Sequence, residues 1–433
     1  MKIFSSRRGG QAVPGQETAE PVGSRPLNLT RNITAMLIDG IGWPLGQSFV
    51  SPQTILPLFI ALLSRSSTII GLVVAVQALG QIVPQLFIAN RLEHMPIKRI
   101  YVVVIGIVME RLPYVVLAVA VVVMRSHLSL LLLFFACWVV ANVGTGLNMP
   151  AFNGLYAKAI PIRLRGRLGG IGNSAGALLA VVGAYVTTLL LERTSGIPAF
   201  SPIFVIGFVI LLASVIPLGF VDEPPSEVGN VRKPTLTYLR EIFPLLRVNR
   251  SFARYVLFQV SLQLAYSAPP FITAYAVLHL GVTTSTIGIF TAVLMGANAL
   301  GSLLFGPLAD HIGYRRVFTA ATCIAIAGYA ILVVLPPLRI VYICVALVGL
   351  LLSTQFMSNN MAMEFCTPGQ AGTFTAIAFT ASAPVRVLGP IVLGVIADRL
   401  GMRPVFLVVV ALSLFALYLI LFRVLDPRHS HGA

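Results

Sequence analysis

Apolar residues run along this chain in long unbroken stretches, separated by short polar ones. The stretches fall at about 33–63, 68–90, 99–124, 128–153, 169–191, 201–221, 252–279, 285–309, 317–337, 340–363, 373–397 and 404–423. A bilayer core of roughly 30 Å takes about 20 helical residues, and these stretches match that length. They are too long for barrel strands and lack the alternation of period two that such strands show. With no water to satisfy backbone groups in hydrocarbon, helices are the expected form. The pattern predicts an all-α integral membrane protein with twelve transmembrane helices. Pro44, Pro52 and Pro57 interrupt the first stretch and Pro269-Pro270 the seventh, which predicts bent or broken helices there.

Composition narrows the class further. Of 433 residues, 57% are hydrophobic and only 10% charged. A soluble domain carries about 25% charge, so a soluble enzyme, a disordered chain and a secreted disulfide scaffold are excluded. The formal charge is +16, which in a soluble protein would point to a polyanion. Its placement says otherwise. With the N-terminus inside, 22 Lys and Arg fall in inner segments and 6 in outer ones, with Arg111 and Arg386 left within spans. This asymmetry predicts both termini in the cytoplasm of a cell with an inner or plasma membrane, and no nucleic acid. The polar first 31 residues lack the apolar segment of a cleaved signal, so a cytoplasmic tail is expected at 1–31. The longest internal loop runs from Asp222 to Arg250 near mid-chain, with Pro224-Pro225 and several charges. The expected organisation is therefore a six-helix bundle over 32–221, a cytoplasmic linker over 222–250, a second bundle over 251–423 and a short tail over 424–433. Cys137, Cys323, Cys344 and Cys366 show no metal or redox spacing and are expected to be small buried residues.

The two halves resemble one another. Ala78-Leu79-Gly80 recurs as Ala299-Leu300-Gly301, and Ser67-Thr68-Ile69 as Ser285-Thr286-Ile287. Asn153, Pro161, Gly166 and Gly183 have counterparts in Asn360, Pro368, Gly372 and Gly389. A duplicated bundle can rock about a site between its halves and expose that site to each side in turn.

One loop carries a specific motif. Gly306-Pro307-Leu308-Ala309-Asp310-His311-Ile312-Gly313-Tyr314-Arg315-Arg316 reads GxxxDxxGxRR between the eighth and ninth spans. It resembles the signature loop of the major facilitator superfamily, and the span count, mid-chain linker and half-length repeat extend that resemblance over the whole chain. The resemblance implies two six-helix bundles and a loop that latches helices in one state of a transport cycle. Gly306 is expected to let helices approach, Gly313 to make a tight turn, Asp310 to accept hydrogen bonds, and Arg315 and Arg316 to sit at the anionic inner interface. The equivalent first-half loop, Ala89 to Arg99, departs from the pattern: Asn90 stands where the acid is expected, the glycine is missing, and Glu93 is the nearest acid.

Charge within the membrane is scarce and costs at least about 2.5–3.5 kcal/mol per group on insertion scales. Arg386 lies near the centre of span eleven, Glu110 and Arg111 near the centre of span three, and Asp39 in span one. Consecutive helical residues point about 100° apart, so Glu110 and Arg111 are each expected to find a partner elsewhere. The family resemblance puts span three at the periphery, favouring a structural pair, and spans one and eleven at the cavity. Arg386 is thus the leading site for an anionic group or mobile carboxylate, with a fixed inter-helix salt bridge as the alternative. Gln53, Asn142, Asn148, Gln259, Gln263, Gln355 and Asn359 add neutral polar groups on spans one, four, seven and ten. Amides and aromatics in an apolar cavity suit an amphipathic solute, although such amides also glue helices together.

Several motifs fail. Gly172-Asn173-Ser174-Ala175-Gly176 matches a nucleophile elbow but sits in an apolar helix, where its glycines read as a packing face. No phosphate-binding GxxxxGK[ST] loop and no histidine metal motif occurs in the sequence, so neither ATP hydrolysis nor a metal or other cofactor is expected. The expected function is secondary transport of a small solute by alternating access in a monomer embedded in lipid. Export is favoured over uptake, and a proton acting through Asp39 and Glu110 is the expected coupling ion. A sensor or scaffold with a transporter fold, and an intramembrane lipid-modifying enzyme, are the rival readings.

Overall fold

The computed structural model describes residues 28–92, 95–194, 196–224, 249–355, 357–365 and 371–424. Twelve rods and no strand are found among them. The first, α1, is built from Leu29–Phe49 and Ile55–Leu63. It is followed by α2 (Ser67–Leu92), α3 (Arg99–Ile105, Gly106–Arg111 and Leu112–Val123), α4 (His127–Ala159), α5 (Ile162–Arg193) and α6 (Phe200–Val215, extended by Ile216–Phe220). The second half holds α7 (Arg250–Ser267 and Pro269–His279), α8 (Thr284–Ile312), α9 (Tyr314–Val333), α10 (Leu338–Leu352 and Met357–Met363), α11 (Ala371–Leu400) and α12 (Met402–Tyr418, extended by Leu419–Arg423).

Ten of these rods are long and apolar enough to cross a membrane. The other two, α1 and α7, break at Val50–Thr54 and at Ala268, beside the prolines that interrupt the sequence pattern. The break in α10 has no proline, so the sequence pattern gives no sign of it. Both α4 and α5 extend past the expected spans, to Ala159 and from Ile162. Their ends carry Lys158, Arg165 and Arg167, which continue a helix outside an apolar window.

Within the first half, α1 packs on α5 and α6, and α2 on α4. The approach of α1 to α5 is a glycine seam. A Cβ on Gly172 would stand 3.5 Å from Gly40 Cα, and one on Gly176 would stand 2.8 Å from Pro44 Cγ, so the expected packing face is present. The two halves meet along α2 against α11 and α5 against α8.

The chain ends mark one face of the bundle. The Asn28 N–H donates to Asp222 Oδ2 at 3.1 Å, and Arg254 Nη1 donates to the Arg423 carbonyl at 3.2 Å. On this terminal face the residues after α6 are anchored in the first half. Glu223 caps α3 by accepting from the Lys98 and Arg99 N–H groups at 2.7 and 2.9 Å, and it pairs with Lys158 at 3.0 Å. Hydrogen bonds join the halves towards the opposite, far face: Thr54 to Thr291 at 2.7 Å between hydroxyls, the Thr273 hydroxyl to the Gln53 carbonyl at 3.3 Å, and the Thr284 hydroxyl to the Leu191 carbonyl at 3.4 Å.

Of the cysteines, Cys137 and Cys344 are buried as expected, but Cys323 is exposed on α9 because its position turns away from the neighbouring rods. Cys366 lies outside the described residues.

Candidate functional site

The polar groups within the bundle divide into those whose hydrogen bonds are used and those whose are not. The first group is concentrated in the first half. The middle of α3 winds as a π-helix over Gly106–Arg111. A π turn inserts a residue and breaks the regular ladder. Arg111 Nη1 donates both to the Gly106 carbonyl and to Glu110 Oε2, each at 2.8 Å, while Nε donates to the Leu211 carbonyl of α6 at 2.8 Å. The guanidinium also sits 5.4 Å from the Trp43 ring centroid. Glu110 Oε1 accepts from Asn148 Nδ2 at 2.8 Å.

This corrects the expectation that Glu110 and Arg111 face apart and seek separate partners. They pair with each other, because the widened turn and two long side chains curl the charges together. All their partners lie in the first half, on α1, α3, α4 and α6. Glycines make room: a Cβ on Gly106 would stand 2.8 Å from Arg111 Nη1, and one on Gly144 would stand 3.2 Å from Glu110 Cγ.

Asp39 is buried one turn from Gly42, on the side of α1 that packs against α6. Its Oδ1 accepts from the Ser214 hydroxyl at 3.2 Å, and both Arg111 and Glu110 lie within its electrostatic reach. Ser214 was missed in the sequence, where a serine in an apolar helix carries no signal.

The first-half amides are bound. Asn142 Nδ2 donates to the Trp138 carbonyl at 2.8 Å, and Trp138 Nε1 donates to the Val73 carbonyl of α2 at 2.8 Å. Gln53 Oε1 accepts from the Ser51 hydroxyl at 3.3 Å within the break of α1. Asn148 Oδ1 is buried without a partner among the described residues.

The second half differs. Gln259 Nε2 donates to the Tyr255 hydroxyl at 2.6 Å, which donates on to the Ser358 carbonyl at 2.6 Å, and Tyr266 pairs with Thr354 at 2.9 Å between hydroxyls. The side chains of Gln263, buried on α7, of Gln355, half-buried at the break in α10, and of Asn359, exposed on α10, carry no hydrogen bond among the described residues. Arg386 is half-buried in α11, its guanidinium 4.5 Å from the Phe379 ring centroid and without an ion pair or hydrogen bond among the described residues. Phe379 is seven residues before Arg386 on the same helix, a spacing that places the ring two turns away, on the same face. Gly389, three residues beyond Arg386, packs against Leu264, the neighbour of Gln263, with a notional Cβ 2.7 Å from Leu264 Cδ2. Gln263 and Arg386 thus occupy adjoining turns of packed helices.

At the signature loop, Gly313 has φ +92° and makes the expected turn between α8 and α9. Arg315 does more than sit at an interface: its Nε and Nη2 donate to the Ile420 and Leu421 carbonyls at 3.0 and 2.6 Å, satisfying the end of α12. Arg316 is exposed. Around Gly306, a notional Cβ meets nothing within 4 Å, so the close approach expected there is not made in this conformation. The side chain of Asp310 and all of Glu93 lie outside the described residues.

A family model, Major Facilitator Superfamily, matches residues 45–382 and 255–433. An uncharacterized MFS-type transporter, YfnC of Bacillus subtilis strain 168, is 28% identical over 149 residues, 34% of this chain and 36% of that protein. The fosmidomycin resistance protein of Escherichia coli K12 is 23% identical over 164 residues, 38% of this chain and 40% of that protein. The matched region therefore spans well under half of each of these relatives. Among solved structures, the D-xylose–proton symporter has a TM-score of 0.70 at 13% identity, covering 92% of this chain and 99% of that one. A bacterial homologue of the human lysosomal transporter Spinster, inward-facing and unoccupied, has 0.63 at 16% identity, covering 94% and 98%. At such identities the likeness is one of fold.

Proposed function

The chain belongs to the Major Facilitator Superfamily of membrane transporters, and from that premise we propose that it moves a small amphipathic solute with an anionic group, outward, by alternating access. The observation that carries the reading is Arg386. An intramembrane guanidinium is costly and is ordinarily paired. Here Glu110 and Arg111 satisfy each other, whereas among the described residues Arg386 has an aromatic ring beside it and no ion pair. A cation held against a ring, with the free amide of Gln263 on an adjoining turn, offers an anion charge-assisted hydrogen bonds and apolar surface together. Gln355, at the break in α10, and Asn359, beyond it, supply further amides with no side-chain hydrogen bond among the described residues.

The positive terminal face is the cytoplasmic one, and the protein lies in a cell membrane with both termini inside. Likeness to a protein named for resistance supports export over uptake. A proton is the coupling ion, with Asp39 its carrier: it is buried and among the described residues holds one direct hydrogen bond, from Ser214, whereas Glu110 is committed to Arg111 and Asn148.

The test is a thermal-shift screen of the purified protein against amphipathic carboxylates, phosphates and sulfonates with their neutral analogues, followed by flux of each hit in proteoliposomes. Anions that stabilise the wild type but not Arg386→Ala support the reading. Hits confined to neutral compounds contradict it.

A further inference from the structure

Where α2 begins and α11 ends, on the far face, a single carboxylate joins the two halves. Asp398 lies in the last turn of α11. Its Oδ1 accepts from the Ser67 N–H at 2.6 Å. Its Oδ2 accepts from the Thr68 N–H at 3.0 Å, the Thr68 hydroxyl at 2.7 Å and the Ser66 hydroxyl at 2.7 Å. The first N–H groups of a helix have no partner in their own helix and form the positive end of its dipole. Asp398 therefore caps α2 from the other half of the molecule, across 331 residues of sequence to Ser67.

The backbone is shaped for this contact. A Cβ on Gly394 would stand 2.6 Å from Thr68 Cα and 2.7 Å from the Ser67 carbonyl oxygen, so only glycine admits α2 there. One turn deeper, Gly71 makes the same allowance for the Pro390 carbonyl. Gly401 then closes the turn into α12 with φ +85°.

Gly394-x-x-x-Asp398-x-x-Gly401-x-Arg403 has the spacing of Gly306-x-x-x-Asp310-x-x-Gly313-x-Arg315. The second glycines of both copies take positive φ, +85° and +92°. Because α8 runs towards the terminal face and α11 away from it, the copies stand on opposite faces. They also differ in engagement: Gly394 is in close contact with α2, and a Cβ on Gly306 would meet nothing within 4 Å.

We propose that the turn from Gly394 to Arg403 is a far-face latch that holds the halves together in the conformation seen here, and that it alternates with the Gly306–Arg316 loop, each engaging as the other parts. The proposal rests on the alternating-access reading.

The test uses the full chain in nanodiscs, with native cysteines replaced by serine and spin labels at two pairs of exposed positions. Arg125→Cys with Arg339→Cys reports the far face, and Ala157→Cys with Asn360→Cys the terminal face. Asp398→Ala is expected to raise the share of molecules with the longer far-face distance at least threefold, and to shorten the terminal-face distance in step. Gly394→Val, which wedges α11 from α2, should act the same way, and isosteric Asp398→Asn should give a smaller shift should Gly394→Val disturb folding. Unchanged far-face distances in the monodisperse Asp398→Ala and Asp398→Asn proteins would overturn the latch. A far face that opens without closure of the terminal face would keep the latch and refute the alternating-access reading.

Discussion

Arg111 donates to Glu110 at 2.8 Å although the two are consecutive in sequence, and among the described residues neither is bonded to the other half of the molecule. The pair stitches α3 to α4 through Asn148 and to α6 through the Leu211 carbonyl. Removing one member leaves a buried charge, which costs about 3–5 kcal/mol. Glu110→Ala and Arg111→Ala should therefore each lower the melting temperature markedly, measured by size-exclusion after heating. The double variant Glu110→Leu with Arg111→Met should lie closer to wild type than either single change.

Asp39 and Ser214 predict a different outcome. Asparagine can still accept from the Ser214 hydroxyl, so Asp39→Asn should leave folding within about 1 kcal/mol of wild type. With the proton carrier removed, accumulation driven by a pH gradient should fall at least tenfold, while exchange of solute at equal concentrations persists. Flux assays in proteoliposomes with and without a gradient separate the two.

Close helix contact predicts a third. A Cβ on Gly146 of α4 would stand 2.5 Å from the Gly80 carbonyl oxygen and 2.7 Å from that of Gln81 on α2. Neither backbone can yield cheaply, so Gly146→Val should destabilise by roughly 1–3 kcal/mol, the range for overpacking. Gly170→Ala, where a Cβ meets nothing within 4 Å, is the control and should be neutral or slightly stabilising in the same melting assay.

On the terminal face, Glu223 accepts two backbone bonds at the start of α3 and a third from Lys158. Loss of a helix cap costs about 0.5–2 kcal/mol. Glu223→Ala should fall in or above that range in detergent unfolding, and Glu223→Gln, which keeps one acceptor oxygen, should lose less.

The membrane class, ten of the long apolar helices and the breaks at Pro52 and Pro269-Pro270 were legible in the sequence, because apolar length and proline act locally. The break after Leu352 was not legible, since no proline or charge marks it. The Glu110–Arg111 pair was misread for a geometric reason: the 100° rule holds for α-helices, and this segment is a π turn. The amides looked equivalent in sequence, yet Asn142 and Asn148 are bound whereas Gln263 carries no side-chain bond among the described residues, a distinction made by neighbours far along the chain. The second copy of the loop motif was present in the sequence at Gly394, Asp398, Gly401 and Arg403. It is the less complete copy, with Pro404 where the other loop has the second arginine, Arg316.

The most direct test of the central claim is solute flux through proteoliposomes holding wild type, Arg386→Lys and Arg386→Ala, using an anionic solute that stabilises the wild type. Full flux, reduced flux and loss of flux are expected in that order, with all three proteins melting at similar temperatures. Equal flux and equal solute stabilisation in Arg386→Ala and wild type would contradict it.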